Sequence, residues 1–504
     1  MKGHVDLAHA DIPRAVLAEG DVEPRLDGLG AGTGGPFALA VREGRTLVLA
    51  RDPFGERPLY WCSRGSEIWF ASHAQELREL KAPLGQIDRG ALSDYLELGY
   101  VPSPGSMWSN ARKVPPGHLL RFKGNGLPEI EPFAEQPLPG MAAKRPSRIA
   151  VRARLEAAVK RALHASRSAL LRPSLDSAAL VALMTRQAGR IRTFSVGFGD
   201  GADLETARRI AHRFRSHHHE LRVALKPRED AAQALAACGE PLADAGLVLL
   251  TAAMREISRE SKDLLTSDGA SELFGGHDRY LQATRLPQLR RTGRAANLLR
   301  LVAPRRHRGR LQRAGVALQS RGASRARAFV ELFSADERRA LLGSAARVAA
   351  HGAAEELAGV ESALAFDLVT GLPDSVLFRL DAAAARAGIK ARAAFLDPEL
   401  ALAVVPPKAR HKIGRRQGNR MLREAVADLL PRDVLALPAG GLEPPLEAWL
   451  RGPLRPMVND LVRAPTARIR TLLDPRAVDA ALSHGPRQAW AMLALEVWAR
   501  EQRG

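Results

Sequence analysis

Residues 171–178 read Leu-Arg-Pro-Ser-Leu-Asp-Ser-Ala, between the apolar run Ala169-Leu170-Leu171 and a stretch in which Leu180, Leu183 and Met184 recur at helical spacing. A helix opening near Ser177 points the positive end of its backbone dipole at the turn, where a phosphate is favoured. Pro173 works against such a site, because proline has no N–H to donate and fixes φ at about −65°. Arg172 is either a forked cation for a phosphate or one more surface arginine. A second candidate stretch, Thr266-Ser267-Asp268-Gly269-Ala270-Ser271-Glu272, grows out of the apolar run Asp263-Leu264-Leu265. His217, His218 and His219 raise the idea of a metal site. Consecutive residues of a strand point to opposite faces, which favours a structural or general polar role for them.

The elements that must hold these residues follow from periodicity. From about residue 147, strands and helices alternate, the pattern of a parallel sheet covered on both faces. Residues 169–171, 192–198, 218–223 and 263–266 read as its strands. Helices are expected over 177–186 and through Ala207, Ile210 and Ala211. Beyond 280 the chain reads as mainly helical. Before 125, residues 37–41, 47–50 and 68–71 read as strands, parted by the turns Arg42-Glu43-Gly44 and Ser63-Arg64-Gly65. A proline-rich stretch then reads as a linker. The expected division is a first domain over 1–127, the linker over 128–146 and a second domain over 147–504.

Composition narrows the classes. An apolar share of 46% with 26% charged residues is that of a globular chain, and 504 residues suffice to bury a core without staples. Cys62 and Cys238 are the only cysteines and lie far apart, so neither a disulfide framework nor a cysteine zinc site is supported. No apolar run reaches the roughly 18 residues of a membrane span, and the start is no signal peptide; the expected compartment is the cytoplasm. The net charge of +20 is densest in an arginine-rich insertion over about 285–327, from Arg285 to Arg313. Such a run suits RNA, an acidic peptide or a membrane surface, but no aromatic residue interleaves it to stack bases. A solvated helical insertion is the preferred reading, and a nucleic-acid partner is not expected.

Several motifs, in order, resemble the asparagine synthetase family. Arg51-Asp52-Pro53-Phe54-Gly55-Glu56-Arg57-Pro58-Leu59-Tyr60 is similar to the Arg-Asp-x-Phe-Gly-x-Lys-Pro-Leu-Tyr segment near the end of its glutaminase domain. Residues 95–102, 114–118, 372–381 and 392–397 also match, so the resemblance covers about residues 25–455. The 171–178 stretch stands where the family has Ser-Gly-Gly-Leu-Asp-Ser-Ser, a loop that grips pyrophosphate. The implied fold is α/β: a truncated α+β glutaminase-like domain, then a PP-loop (adenine nucleotide α-hydrolase-like) parallel sheet with a helical C-terminal part.

The resemblance implies ATP and magnesium as cofactors. A carboxylate is activated as its acyl-adenylate, and an amine then displaces AMP. Carried over by position, Asp176 and Glu272 are catalytic. Ser174, Leu175, Asp176, Ser177, Asp268 and Gly269 meet the nucleotide's phosphates, the backbone of Ser195, Val196 and Gly197 clasps adenine, and Asp176 and Asp268 hold metal. Departures are several. Ser271 replaces a metal-binding aspartate, Lys390 a glutamate, Asn419 a lysine, and Ala439 a lysine that faces phosphate charge. The glutaminase nucleophile, a cysteine after the initiator methionine, is replaced by Lys2; Cys62 falls in a strand and suits core packing. Nitrogen is then expected from ammonia or another amine, or from a glutaminase part encoded elsewhere as a separate subunit. The partners implied are a small-molecule or peptide carboxylate and the amine, with a homodimer allowed. An active amide ligase, related to asparagine synthetases, β-lactam synthetases or lasso-peptide cyclases, is the first reading. A pseudoenzyme acting as a binding or regulatory subunit is the second, and an RNA-modifying PP-loop protein the third.

Overall fold

A computed structural model describes residues 1–6, 15–20, 34–124, 127–141, 143–198, 202–285, 330–346, 357 and 359–502. The arginine-rich stretch lies outside these residues, apart from Arg285 at the end of a helix. In the first part of the chain the described strands are β1 (Lys2–Asp6), β2 (Ala15–Gly20), β3 (Phe37–Glu43), β4 (Thr46–Arg51), β5 (Tyr60–Arg64), β6 (Glu67–Ala71), β7 (Ala111–Lys113), β8 (His118–Lys123) and β9 (Pro128–Pro132). They pair into two antiparallel sheets, β1-β6-β5-β7 and β2-β3-β4-β8-β9. The apolar run of β3 is buried on both faces. Ala38 and Ala40 meet Ile68 and Phe70 of the other sheet, while Phe37, Leu39 and Val41 pack on the opposite side. The stretch expected as a linker opens with β9, an edge strand that places its prolines at its two ends, where a missing N–H is tolerated.

The second part holds a five-stranded, wholly parallel sheet, as expected. Its strands are β10 (Ser168–Leu170), β11 (Arg192–Phe198), β12 (His217–Val223), β13 (Asp263–Thr266) and β14 (Lys390–Ala393), in the order β12-β11-β10-β13-β14. The fifth strand carries little sequence signal because Lys390-Ala391-Arg392-Ala393 has no β-branched or aromatic residue and its alternation spans only four residues. Leu180, Leu183 and Met184 are fully buried, on a helix that runs over Leu175–Ala188. The helix Pro486–Glu501 is buried nearly all round, with Trp490 and Trp498 in the core.

Polar groups join the two parts. Arg57 pairs with Asp381, and Glu56 Oε2 accepts from Ala393 N at 3.0 Å. Lys113 Nζ lies 3.0 Å from Glu240 and 3.5 Å from Asp374, while Tyr60 donates to Glu240 at 3.2 Å. Arg51 is buried and donates to the carbonyls of Gly55, Arg57 and Val114. The 51–60 motif is thus a docking element rather than a reactive one.

Candidate functional site

β10 is the point where the parallel sheet changes direction: β11 and β12 lie to one side, β13 and β14 to the other. Chains leaving β10 and β13 part there, opening a crevice at the carboxyl ends of the strands, the place where such sheets bind ligands. The crevice belongs to a cleft of about 750 Å³ lined by Arg172, Asp176, Ser267, Asp268 and Glu272, among others. A cavity of about 330 Å³ at the opposite ends of the strands, lined by Ser166 and Asp263 among others, contains none of these carboxylates.

Arg172, Pro173 and Ser174 make the turn after β10. The Ser174 hydroxyl caps the next helix by accepting from Ser177 N at 3.4 Å. Segment 438–441 lies across that helix end: Leu175 N donates to Pro438 O at 3.2 Å, and Gly440 N to Asp176 Oδ1 at 3.3 Å. Only a glycine allows this approach, since a Cβ on residue 440 would stand 2.5 Å from Ser174 Cβ. Arg423 steadies the run into the segment, donating to the carbonyls of Leu435 and Leu437. The sequence-level picture of open N–H groups facing a phosphate is therefore altered: the Leu175 amide already has a partner.

Arg172 is not a surface residue. It is 7% exposed, its Nη2 donates to Ser267 Oγ at 3.3 Å, and it lies 3.8 Å from Asp176 Oδ2. Its Nη1 is 3.6 Å from Asp268 Oδ1. Ser267 Oγ in turn donates to Asp176 Oδ2 at 2.9 Å and is 3.1 Å from Ser177 Oγ. One guanidinium therefore spans the two carboxylates expected to hold metal. Magnesium needs a near-octahedral shell of oxygens. Both Asp176 oxygens already accept hydrogen bonds, the space toward Asp268 holds a cation, and Ser271 offers only a hydroxyl. Among the described residues no group of three or more His, Cys, Asp or Glu is placed to hold a metal. Asp176 and Asp268 as arranged do not fit a magnesium ion between them.

Other members of the cleft were not singled out from the sequence. Arg379 donates to Asp244 Oδ2 at 2.6 Å and reaches within 4.0 Å of Asp268. It occupies the lysine position of the family motif at 372–381, a legible signal; Asp244 had none. Burial works to lower the Arg379 pKa, but Asp244 and Asp268 raise it on balance. His277 Nε2 is 2.7 Å from Glu272 Oε1 and faces the cleft, while Glu272 is buried. Burial pushes the Glu272 carboxyl up, yet His277 and Arg279 hold it below its ordinary value. Arg279 itself pairs with Asp367 at 2.8 Å.

The remaining expected residues separate into two groups. Asp268, Gly269 and Glu272 line the cleft with Asp176, whereas Ser174, Leu175 and Ser177 are buried beside it. Ser195, Val196 and Gly197 lie on β11 and are not among the residues lining the cleft; the Ser195 hydroxyl donates to Leu171 O at 2.6 Å. Asn419 packs against Gly276, its amide buried with neither atom hydrogen-bonded, and Ala439 lines the cleft. His217 and His219 contact each other at 2.9 Å, and His218 contacts Thr193 at 2.9 Å. Cys62 is fully buried, and burial pushes its thiol up to about 12.

The asparagine synthase family model matches residues 150–500, and the glutamine amidotransferase domain model matches residues 30–133. The chain belongs to the asparagine synthase family. A Mycobacterium tuberculosis (strain ATCC 25618 / H37Rv) protein named as a glutamine-hydrolyzing asparagine synthetase is 29% identical over 521 residues, covering 95% of this chain and 77% of its own. Asparagine synthetase (glutamine-hydrolyzing) 1 of Bacillus subtilis (strain 168) is 23% identical, covering 92% of this chain and 77% of its own. The carboxyethyl-arginine beta-lactam-synthase of Streptomyces clavuligerus is 28% identical over 276 residues, 51% of this chain and 48% of that one. In this asparagine synthase family member, Arg172 and Ala439 both line the cleft. Among the described residues no helix is long and apolar enough to cross a membrane.

Proposed function

We propose that the cleft is the nucleotide and acyl site of an ATP-dependent amide ligase. A carboxylate oxygen of the substrate attacks the α-phosphorus of ATP and pyrophosphate leaves. An amine then attacks the acyl carbon and AMP leaves, giving the amide. The observation that carries this reading is the convergence of Asp176, Asp268 and Glu272 with Arg172 and Arg379 at the sheet's switch point. The guanidinium groups meet charge that grows on phosphate oxygens. Ionised Glu272, paired with His277, orients an imidazole that can take the amine's proton. Lys2 lies on β1, where its Nζ pairs with Glu79. The substrate is a small-molecule or peptide carboxylate, and the nitrogen comes from ammonia, another amine or a separate glutaminase subunit.

The test is ATP–pyrophosphate exchange by the purified chain with a panel of acids, aspartate among them, followed by amide formation with ammonium. Exchange that depends on one acid supports the reading. Its absence with every acid, in protein shown to be folded, overturns it. A second reading, a catalytically impaired binding or regulatory subunit, draws on the closure of segment 438–441 over the helix end. It predicts folded protein that binds an acid or a partner without exchange.

A further inference from the structure

We infer that Arg172 is a built-in cation that takes the place of a divalent metal between Asp176 and Asp268. The inference rests on the proposed reading only for the identity of the ligand; the ion question stands on geometry alone. Two buried carboxylates, 2% and 7% exposed, meet in one cleft: Asp176 from the first turn of the helix after β10 and Asp268 from the turn after β13. Buried carboxylates facing one cleft demand counter-charge, of which Arg379 brings part to Asp268 at 4.0 Å. Arg172 supplies it from the turn itself, bridging both at 3.8 and 3.6 Å and fixing its Nη2 on the Ser267 hydroxyl. Its guanidinium is also part of the cleft wall, so it faces whatever anion enters. Unlike lysine, arginine keeps its charge when buried and offers several N–H groups in a rigid fork, so the same group can serve carboxylates and phosphate oxygens together.

Two consequences follow. The wild-type chain takes no divalent ion between Asp176 and Asp268, and an anionic ligand of the cleft, pyrophosphate or ATP, binds with an affinity that does not depend on added magnesium. Removing the guanidinium opens the space between the two carboxylates beside the Ser267 hydroxyl, with Arg379 still 4.0 Å from Asp268, and oxygens so placed form the start of a hard-cation site.

The experiment uses the full chain and manganese as the probe, followed by electron paramagnetic resonance. Arg172→Ser and Arg172→Met are compared with wild type, each checked for folding by circular dichroism. The expected result is that both variants gain one manganese site absent from wild type. Adding Asp176→Asn should weaken that site by about tenfold or more. Wild-type protein holding manganese in an Asp176-dependent manner overturns the inference, as does failure of both folded variants to gain a site. A parallel calorimetric titration of wild type with ATP, in magnesium or in EDTA, separates the two claims. Binding that requires magnesium overturns the built-in cation. An absence of ATP binding in both buffers removes the ligase reading and leaves the manganese result to decide the cation.

Discussion

The Arg57–Asp381 pair offers a test of how the two parts of the chain are held. Both side chains are nearly buried, 9% and 3% exposed, and the pair joins the 51–60 motif to the helix Leu377–Ala387. Arg57→Met strips Asp381 of that partner and leaves the His73 imidazole, with Nε2 at 3.8 Å, as a polar neighbour. Breaking a buried pair from one side costs about 3–5 kcal/mol, because an uncompensated charge stays in the dry interface. The nearby imidazole places this case at the lower end, about 3 kcal/mol or roughly a hundredfold in the folded equilibrium. Replacing both partners in Arg57→Met with Asp381→Leu removes the stranded charge, so the double variant should cost about 1 kcal/mol or less. The assay is urea unfolding followed by tryptophan fluorescence, with Trp61 and Trp69 reporting on the first part of the chain. Asp381→Leu alone, as the third variant, closes the double-mutant cycle. A single variant within about 0.5 kcal/mol of wild type, or a double variant whose loss equals the sum of the singles, refutes the reasoning.

Three further outcomes are expected. Cys62 and Cys238 are buried and their thiols are pushed up to about 12 by that burial. Neither should react with a thiol reagent at pH 8 until the chain is denatured, and rapid native labelling of either would contradict this. Burial, against the opposing pull of Glu361, takes Lys412 from 10.5 down to about 7, and its Nζ donates to the Val405 carbonyl. Between those values the unfolded chain carries a proton that the folded chain lacks, so stability rises with pH across the window, and the lysine's cost is largest below it. Lys412→Met should flatten the slope of thermal midpoint against pH from 7 to 9; an unchanged slope would show the group to be charged in the fold. Gly440→Ala places a Cβ against Ser174, which should lower stability by about 1–3 kcal/mol. It should also prise segment 438–441 from the helix end, raising pyrophosphate binding by calorimetry; weaker binding would argue against that closure.

Much of the scaffold was legible. The strands at 37–43, 46–51, 192–198 and 263–266 stand out because their apolar runs are bounded by turn residues. β14 was not, since alanines and cations gain strand form only by pairing with β13. At the site, Asp176, Asp268 and Glu272 were legible as motif residues, and the structure brings them into one cleft. Ser195, Val196 and Gly197, expected to clasp adenine, lie on β11 and are not among the residues lining the cleft. Asp244 and the closure by 438–441 carried no local signal, being contacts between segments hundreds of residues apart in the chain.

The order of motifs and the alternation of apolar runs by themselves determined the family, the parallel sheet and the place of the turn after β10, because these depend on local pattern and spacing. The fate of Arg172 was decided only in three dimensions. As a residue type it suited a surface or a phosphate. The choice came from burial between two carboxylates delivered by different strands, where charge must be balanced within a few ångströms.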